Sequence, residues 1–241
     1  MKWYSKTYFN NVKNEKCIGD FTPTYLFESE APKRIFDNLG GEVKFIIILR
    51  NPVDRAYSHY LHSLRDEHES LSFEDALSNK QTSKKEYLSY LRRSYVEQGL
   101  YTKMIVNFFL YFPKENFLIL NFEEEFVLKR KETINRILQF LELKEENLDV
   151  DLASNKASKA RFVWIKKLMK KKGWWRIILK NMIPSLKIRQ IVKNRIQRAN
   201  TINFSPPKIS DKERSVFFEL YFKKDVENLE QLLKRKMNWD R

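Results

Sequence analysis

The feature that most constrains this chain is Val43-Lys-Phe-Ile-Ile-Ile-Leu49, which runs directly into Arg50-Asn51-Pro52. A nearly continuous β-branched and aromatic run of this length reads as a strand buried on both faces of a parallel sheet. Asn51 is a favourable N-cap and Pro52 a favourable first helical residue, so a helix is predicted from there to about Arg65. A second strand is predicted at 116–121, Asn-Phe-Leu-Ile-Leu-Asn, and a short third one at Cys17-Ile18-Gly19. Helical patterns fill the intervals. One opens with the box Ser72-Phe-Glu-Asp75, a longer one lies near 86–111, and an amphipathic one over 130–142 carries Ile134, Ile137, Leu138 and Leu141. Strands alternating with helices imply an α/β fold, a parallel sheet flanked by helices.

The 241 residues suffice for one sizeable domain. The chain reads as a single domain in three parts: an α/β core over 1–150, a basic helical segment over 151–209 and a C-terminal helix over 210–241. The basic segment holds two predicted helices, 162–181 and 185–198, separated by Pro184. The last helix opens at the capping box Ser210-Asp-Lys-Glu213 and is expected to continue to Trp239.

Charge is concentrated in one place. The whole chain carries +15, yet the stretch between Asp151 and Asp211 alone holds 16 Lys and Arg and no acid, leaving the remainder at −1. Such a field favours an anionic partner. Residues 156–198 are therefore expected to meet acidic polysaccharide or an anionic membrane surface. Nucleic acid is not expected, because no recognition motif accompanies the charge beyond Trp174-Trp175. The one cysteine, Cys17, excludes an internal disulfide framework and a Cys-cluster metal site. No metal is expected, since His and carboxylates do not cluster at ligand spacing. No apolar run approaches the roughly 20 residues of a membrane span, and none follows Met1-Lys-Trp-Tyr-Ser-Lys6 as a secretory h-region. A cytoplasmic protein is the expectation.

Chemistry concentrates in Leu49-Arg-Asn-Pro-Val-Asp-Arg-Ala-Tyr-Ser-His-Tyr60. A buried strand ends in an arginine, a capped helix begins, and a serine follows two turns later. Ligands of open α/β sheets bind beyond the carboxyl ends of strands, where helix N-termini attract anions. Arg50 offers a planar fork of donors to a phosphate, and Ser58 can add a hydroxyl. An ordinary junction, with Arg50 paired to a neighbouring carboxylate, fits the same spacing. His59 and His62 share a helical face and read as a packed or solvated pair. Glu123, Glu124 and Glu125, just past the second strand, could meet a ligand at the sheet edge, but a helix start favours acids and a structural role fits better.

Arg50-Asn51-Pro52-Val53-x-Arg55-x-x-Ser58-x-Tyr60 resembles the 3′-phosphate-binding motif of sulfotransferases that use 3′-phosphoadenylyl sulfate. Gly19-Asp20-Phe-Thr22-Pro23 and Ser29-Glu-Ala31 upstream are similar to segments of heparan-sulfate-type and bacterial members. Gly99-Leu-Tyr101, Tyr111-Phe-Pro113 and Tyr221-Phe-Lys-Lys-Asp225 follow in family order. The resemblance implies a P-loop-like sulfotransferase fold with a basic helical insertion. It further implies transfer of a sulfuryl group from 3′-phosphoadenylyl sulfate to a hydroxyl or amine of a carbohydrate or small-molecule acceptor. Arg50 and Ser58 would hold the 3′-phosphate, with no metal involved.

Two departures qualify the resemblance. The family's first strand and its loop with the catalytic lysine, which cradle the 5′-phosphosulfate, have no counterpart among these residues. The chain as written is therefore expected to bind nucleotide poorly and to be inactive by itself, a truncated relative that binds only nucleotide or acidic polymer being the alternative function. The catalytic base is unassigned: where relatives place a histidine or lysine this chain has Phe21. Asp20 is the nearest carboxylate, fit either to orient an acceptor or to cap a turn.

Overall fold

The protein is described here from a computed structural model, which covers residues 7–79, 87–146, 148, 158–160, 185–203 and 208–239. It comprises two compact units, one of Met1–Val150 with Ile209–Arg241 and one of Asp151–Lys208.

The first unit is organised by two parallel strands, β1 (Phe45–Leu49) and β2 (Phe117–Asn121), paired from Phe45 opposite Phe117 to Leu49 opposite Asn121. Between them run α2 (Pro52–Arg65), α3 (Phe73–Ser78), α4 (Tyr87–Arg93) and α5 (Tyr101–Phe109); α1 (Ala31–Leu39) precedes β1. After β2 come a π-helical turn, Phe122–Leu128, and α6 (Arg130–Phe140). Residues 209–239 return to this unit through α8 (Asp211–Phe217), a second π-helical stretch over Phe218–Phe222, and α9 (Lys223–Leu233).

The local starts follow the sequence logic. Asn51 Oδ1 accepts Val53 N–H and Asp54 N–H at 2.9 and 3.3 Å, capping α2 where Pro52 opens it. Ser72 caps α3, and Ser210 with Glu213 forms a reciprocal capping box on α8. The main core joins Leu49 of β1 to Val53, Ala56 and Tyr60 of α2, Tyr101 and Ile105 of α5, and Phe222, Val226 and Leu229 of the C-terminal helices. A smaller aromatic cluster sets Phe45 and Phe117 against Phe108 and Phe112.

Four expectations are corrected. Cys17-Ile18-Gly19 is irregular and exposed rather than a strand, and among the described residues no strand pairs with it. The helix near 86–111 is broken: α4 stops at Arg93, a 3-10 turn covers Glu97–Gly99, and α5 starts afresh at Tyr101. Its cause is packing, since Tyr95 turns inward to full burial and Gly99 passes against Phe222 and Pro52. The C-terminal helix ends at Leu233, not Trp239, because Lys234 adopts a left-handed conformation with φ 51° and the chain turns back. Finally, β1 is not buried on both faces. Phe45, Ile47 and Leu49 face the core, while Ile46 and Ile48 remain 37% and 43% exposed.

The second unit contains a short antiparallel pair, β3 (Ser158–Ala160) with β4 (Thr201–Asn203), and α7 (Leu186–Ala199). α7 matches the helix predicted after Pro184, whereas the predicted helix 162–181, with Lys170, Lys171, Lys172 and the Trp pair, lies outside the described residues. The β3–β4 pair has no sequence signal that announced it. No described helix is long and apolar enough to cross a membrane.

Gly99 provides a direct test of the packing. A Cβ there would come within 2.7 Å of the Phe222 ring and 3.3 Å of Pro52 Cβ. Gly99→Ala is expected to destabilise the fold by about 1–3 kcal/mol, the usual cost of overpacking a filled core. A urea midpoint equal to that of the parent would contradict this packing.

Candidate functional site

The site lies at the carboxyl ends of the two strands. Leu49 and Asn121 are register partners, so the residues that follow them, Arg50 and Phe122, emerge side by side. Arg50 Cζ stands 5.6 Å from the centre of the Phe122 ring, a cation–π contact that fixes the guanidinium over an apolar surface. The Arg50 carbonyl accepts the Tyr101 hydroxyl at 2.9 Å. Burial pushes the Tyr101 phenol up to about 12, so it stays protonated and remains a donor.

Glu123 completes this corner. Its Oε1 accepts Asn51 N–H at 3.0 Å and its Oε2 accepts the Trp239 indole N–H at 3.0 Å. Arg50 Nε lies 3.8 Å from Oε1. This is an ion pair without a hydrogen bond, and Nε is buried with no hydrogen-bond partner. Of the two readings of Arg50 made from sequence, the neighbouring carboxylate is present as Glu123. The arginine has a carboxylate neighbour, yet its donors are largely unspent, and 41% of its side chain remains exposed.

The start of α2 differs from the sequence expectation. Its first amide donors are already engaged: Asn51 N–H by Glu123, and Val53 and Asp54 N–H by the Asn51 side chain. Pro52 has no N–H. An anion here must therefore be held by side chains, helped only by the helix field. Arg50 supplies the fork. Ser58, half-buried on α2 and about 9 Å further along the axis than Pro52, has a hydroxyl with no partner among the described residues.

Other singled-out residues have hydrogen-bond or packing partners of their own. Asp20 accepts the Tyr25 hydroxyl at 2.7 Å and lies 3.5 Å from the Thr22 hydroxyl, organising an exposed turn. Glu125 is buried. Burial raises its pKa, but Asn121 N–H, Arg235 and Arg136 outweigh that and hold it below the usual carboxylate range. Arg55 turns inward to bond the Tyr95 carbonyl and Gln98. His59 packs edge-on against Tyr95 at 5.0 Å. Burial, then the charges of Arg55 and His62, lowers its pKa to about 4. Sequence reading missed Tyr101 and Trp239 as partners of this corner. Neither carries a local signal, because both arrive from distant parts of the chain. Among the described residues no group of three or more His, Cys, Asp or Glu could hold a metal ion.

This constellation, a strand-end arginine before a capped helix and beside a parallel neighbour, can be compared with known proteins. Residues 5–182 match the family model of the sulfotransferase domain. The chain belongs to the sulfotransferase domain family. It is similar to heparan sulfate glucosamine 3-O-sulfotransferase 6 of Mus musculus, 32% identical over 128 residues covering 51% of this chain and 34% of that protein. It is also similar to carbohydrate sulfotransferase 15 of Mus musculus, 30% identical over 160 residues covering 54% of this chain and 28% of the relative. The chain thus spans about a third of the length of these curated relatives. A solved sulfotransferase from Alicyclobacillus acidocaldarius superposes with a TM-score of 0.64 at 23% identity, covering 100% of this chain and 74% of the other. At that identity it speaks for the fold, an α/β arrangement with a parallel sheet, as expected.

His59 makes the pH behaviour testable. With its folded pKa near 4 against an ordinary 6.5, the unfolded chain takes up the proton first as pH falls. The stabilisation is therefore full above about pH 6.5 and is lost progressively towards pH 4, amounting to about 3 kcal/mol. His59→Phe, which keeps a ring against Tyr95, should flatten that part of the profile. Equal slopes for both proteins in urea denaturation across this range would contradict it.

Proposed function

We propose that this domain binds 3′-phosphoadenylyl sulfate through its 3′-phosphate and serves sulfuryl transfer to a hydroxyl or amine of a carbohydrate. The observation that carries the reading is Arg50 itself. A guanidinium with a buried, unpartnered Nε stands at the end of a parallel strand, where its fork suits a phosphate. Ser58 adds a hydroxyl, and Phe122 and Glu123 hold the arginine in place. The donor, once bound, supplies the sulfuryl group. The residues named here bind and orient it and take no part in bond making. Family membership supports the reaction class, and the two relatives named for heparan sulfate glucosamine and carbohydrate sulfation support a carbohydrate acceptor.

The test is calorimetric titration of the chain with adenosine 3′,5′-bisphosphate. Arg50→Ala should weaken binding by about 1.5–3 kcal/mol, the worth of a charged hydrogen bond left unmade. Arg50→Lys should recover only part, since an ammonium cannot present the fork. Ser58→Ala should cost less, on the order of 1 kcal/mol. Unchanged affinity in Arg50→Ala, with the circular dichroism of the parent, removes Arg50 from the site.

A further inference from the structure

α7 is an unusual helix to leave in water. Its 14 residues, Leu-Lys-Ile-Arg-Gln-Ile-Val-Lys-Asn-Arg-Ile-Gln-Arg-Ala, contain five Lys or Arg and no acid. Ile188, Ile191, Val192 and Ile196 recur at helical spacing, which places them on one face about 12 Å long. All four are exposed, at 52%, 57%, 38% and 42%. Arg195 and Asn194, on the same helix, are exposed as well. A β-branched aliphatic stripe open to solvent is costly, and among the described residues it is left exposed.

Two properties together select the partner. Positive charge alone would suit any polyanion, including acidic polysaccharide, and would need no aliphatic stripe. The stripe needs hydrocarbon, and the surrounding charge needs anions, a combination met by the headgroup and acyl boundary of an anionic bilayer. The sequence around α7 reinforces the match, since no acid stands between Asp151 and Asp211 to oppose the approach. We infer that α7 is a membrane-surface helix that lies in the plane of an anionic lipid leaflet, with Ile188, Ile191, Val192 and Ile196 entering the acyl boundary. This is a peripheral attachment independent of the nucleotide reading.

The experiment is co-sedimentation of the full chain with vesicles of phosphatidylcholine, with and without phosphatidylserine. The parent should sediment with the mixed vesicles and stay in solution with phosphatidylcholine alone. A variant carrying Ile188→Ser, Ile191→Ser, Val192→Ser and Ile196→Ser keeps every charge and has similar helix propensity. It should lose mixed-vesicle binding by about tenfold or more, as expected when four aliphatics no longer enter hydrocarbon. Its retention on heparin should not change, because that depends on charge. A parent that ignores phosphatidylserine vesicles overturns the inference. So does a variant that binds them as well as the parent, which would leave a polyanion held by charge alone as the ligand of this segment.

Discussion

Two asparagines hold this fold together at the carboxyl ends of its parallel strands. Asn51 and Asn121 stand at the ends of neighbouring parallel strands and do the same work. Each side-chain oxygen caps the turn that follows, Val53 and Asp54 N–H in one case, Glu123 and Glu124 N–H in the other. Each side-chain amide reaches the strap beyond Leu233, donating to the Trp239 and Met237 carbonyls at 3.0 and 2.9 Å. Both residues are buried, so every one of these bonds replaces one that water cannot provide. Glu123 and Glu125 add the second layer. The first takes Asn51 N–H and the Trp239 indole, and the second takes Asn121 N–H and Arg235. Strand ends, helix starts and strap are thereby locked as one network, in which low local dielectric raises the cost of any missing member.

Within this network the segment 50–60 divides its labour. Asn51 caps, Pro52 opens the helix, Val53 and Tyr60 fill the core, and Arg55 ties α2 to the 95–98 turn. Arg50 and Ser58 keep unspent donors, as does Arg55 at its buried Nε. With the helix amides used for structure, any anion bound here would fall to side chains, which can distinguish a planar, forked interaction from a point charge. Glu123 sits near enough to Arg50 to steady it, yet both its oxygens already accept hydrogen bonds from elsewhere.

What was legible in the sequence was what local chemistry decides. The start of α2 at Asn51-Pro52, the caps at Ser72 and Ser210, and the strands near 45 and 117 each depend on residues within a few positions of one another. The failures share a different cause. The break at Tyr95 to Gly99 comes from packing against Phe222, more than a hundred positions away, which overrides a helical pattern that is locally sound. The exposed face of β1 and the absence of a strand at Cys17 depend on which neighbours exist, and an apolar run does not record that. Arg50 was legible as a donor, but its carboxylate neighbour was not, because Glu123 becomes a neighbour only through the parallel register.

The strap has a bearing on how the protein is made. Asn51 and its carbonyl partner at Trp239 are 188 positions apart, and Glu123 accepts the indole N–H of that residue across 116. During vectorial synthesis the strand, the arginine and the capped helix leave the ribosome long before the segment that closes over them. Until residue 239 has emerged, Asn51 and Glu123 must carry polar groups without their final partners, and water has to serve instead. The corner around Arg50 can therefore take its final shape only late in synthesis, when the closing residues reach back to the first-formed strand.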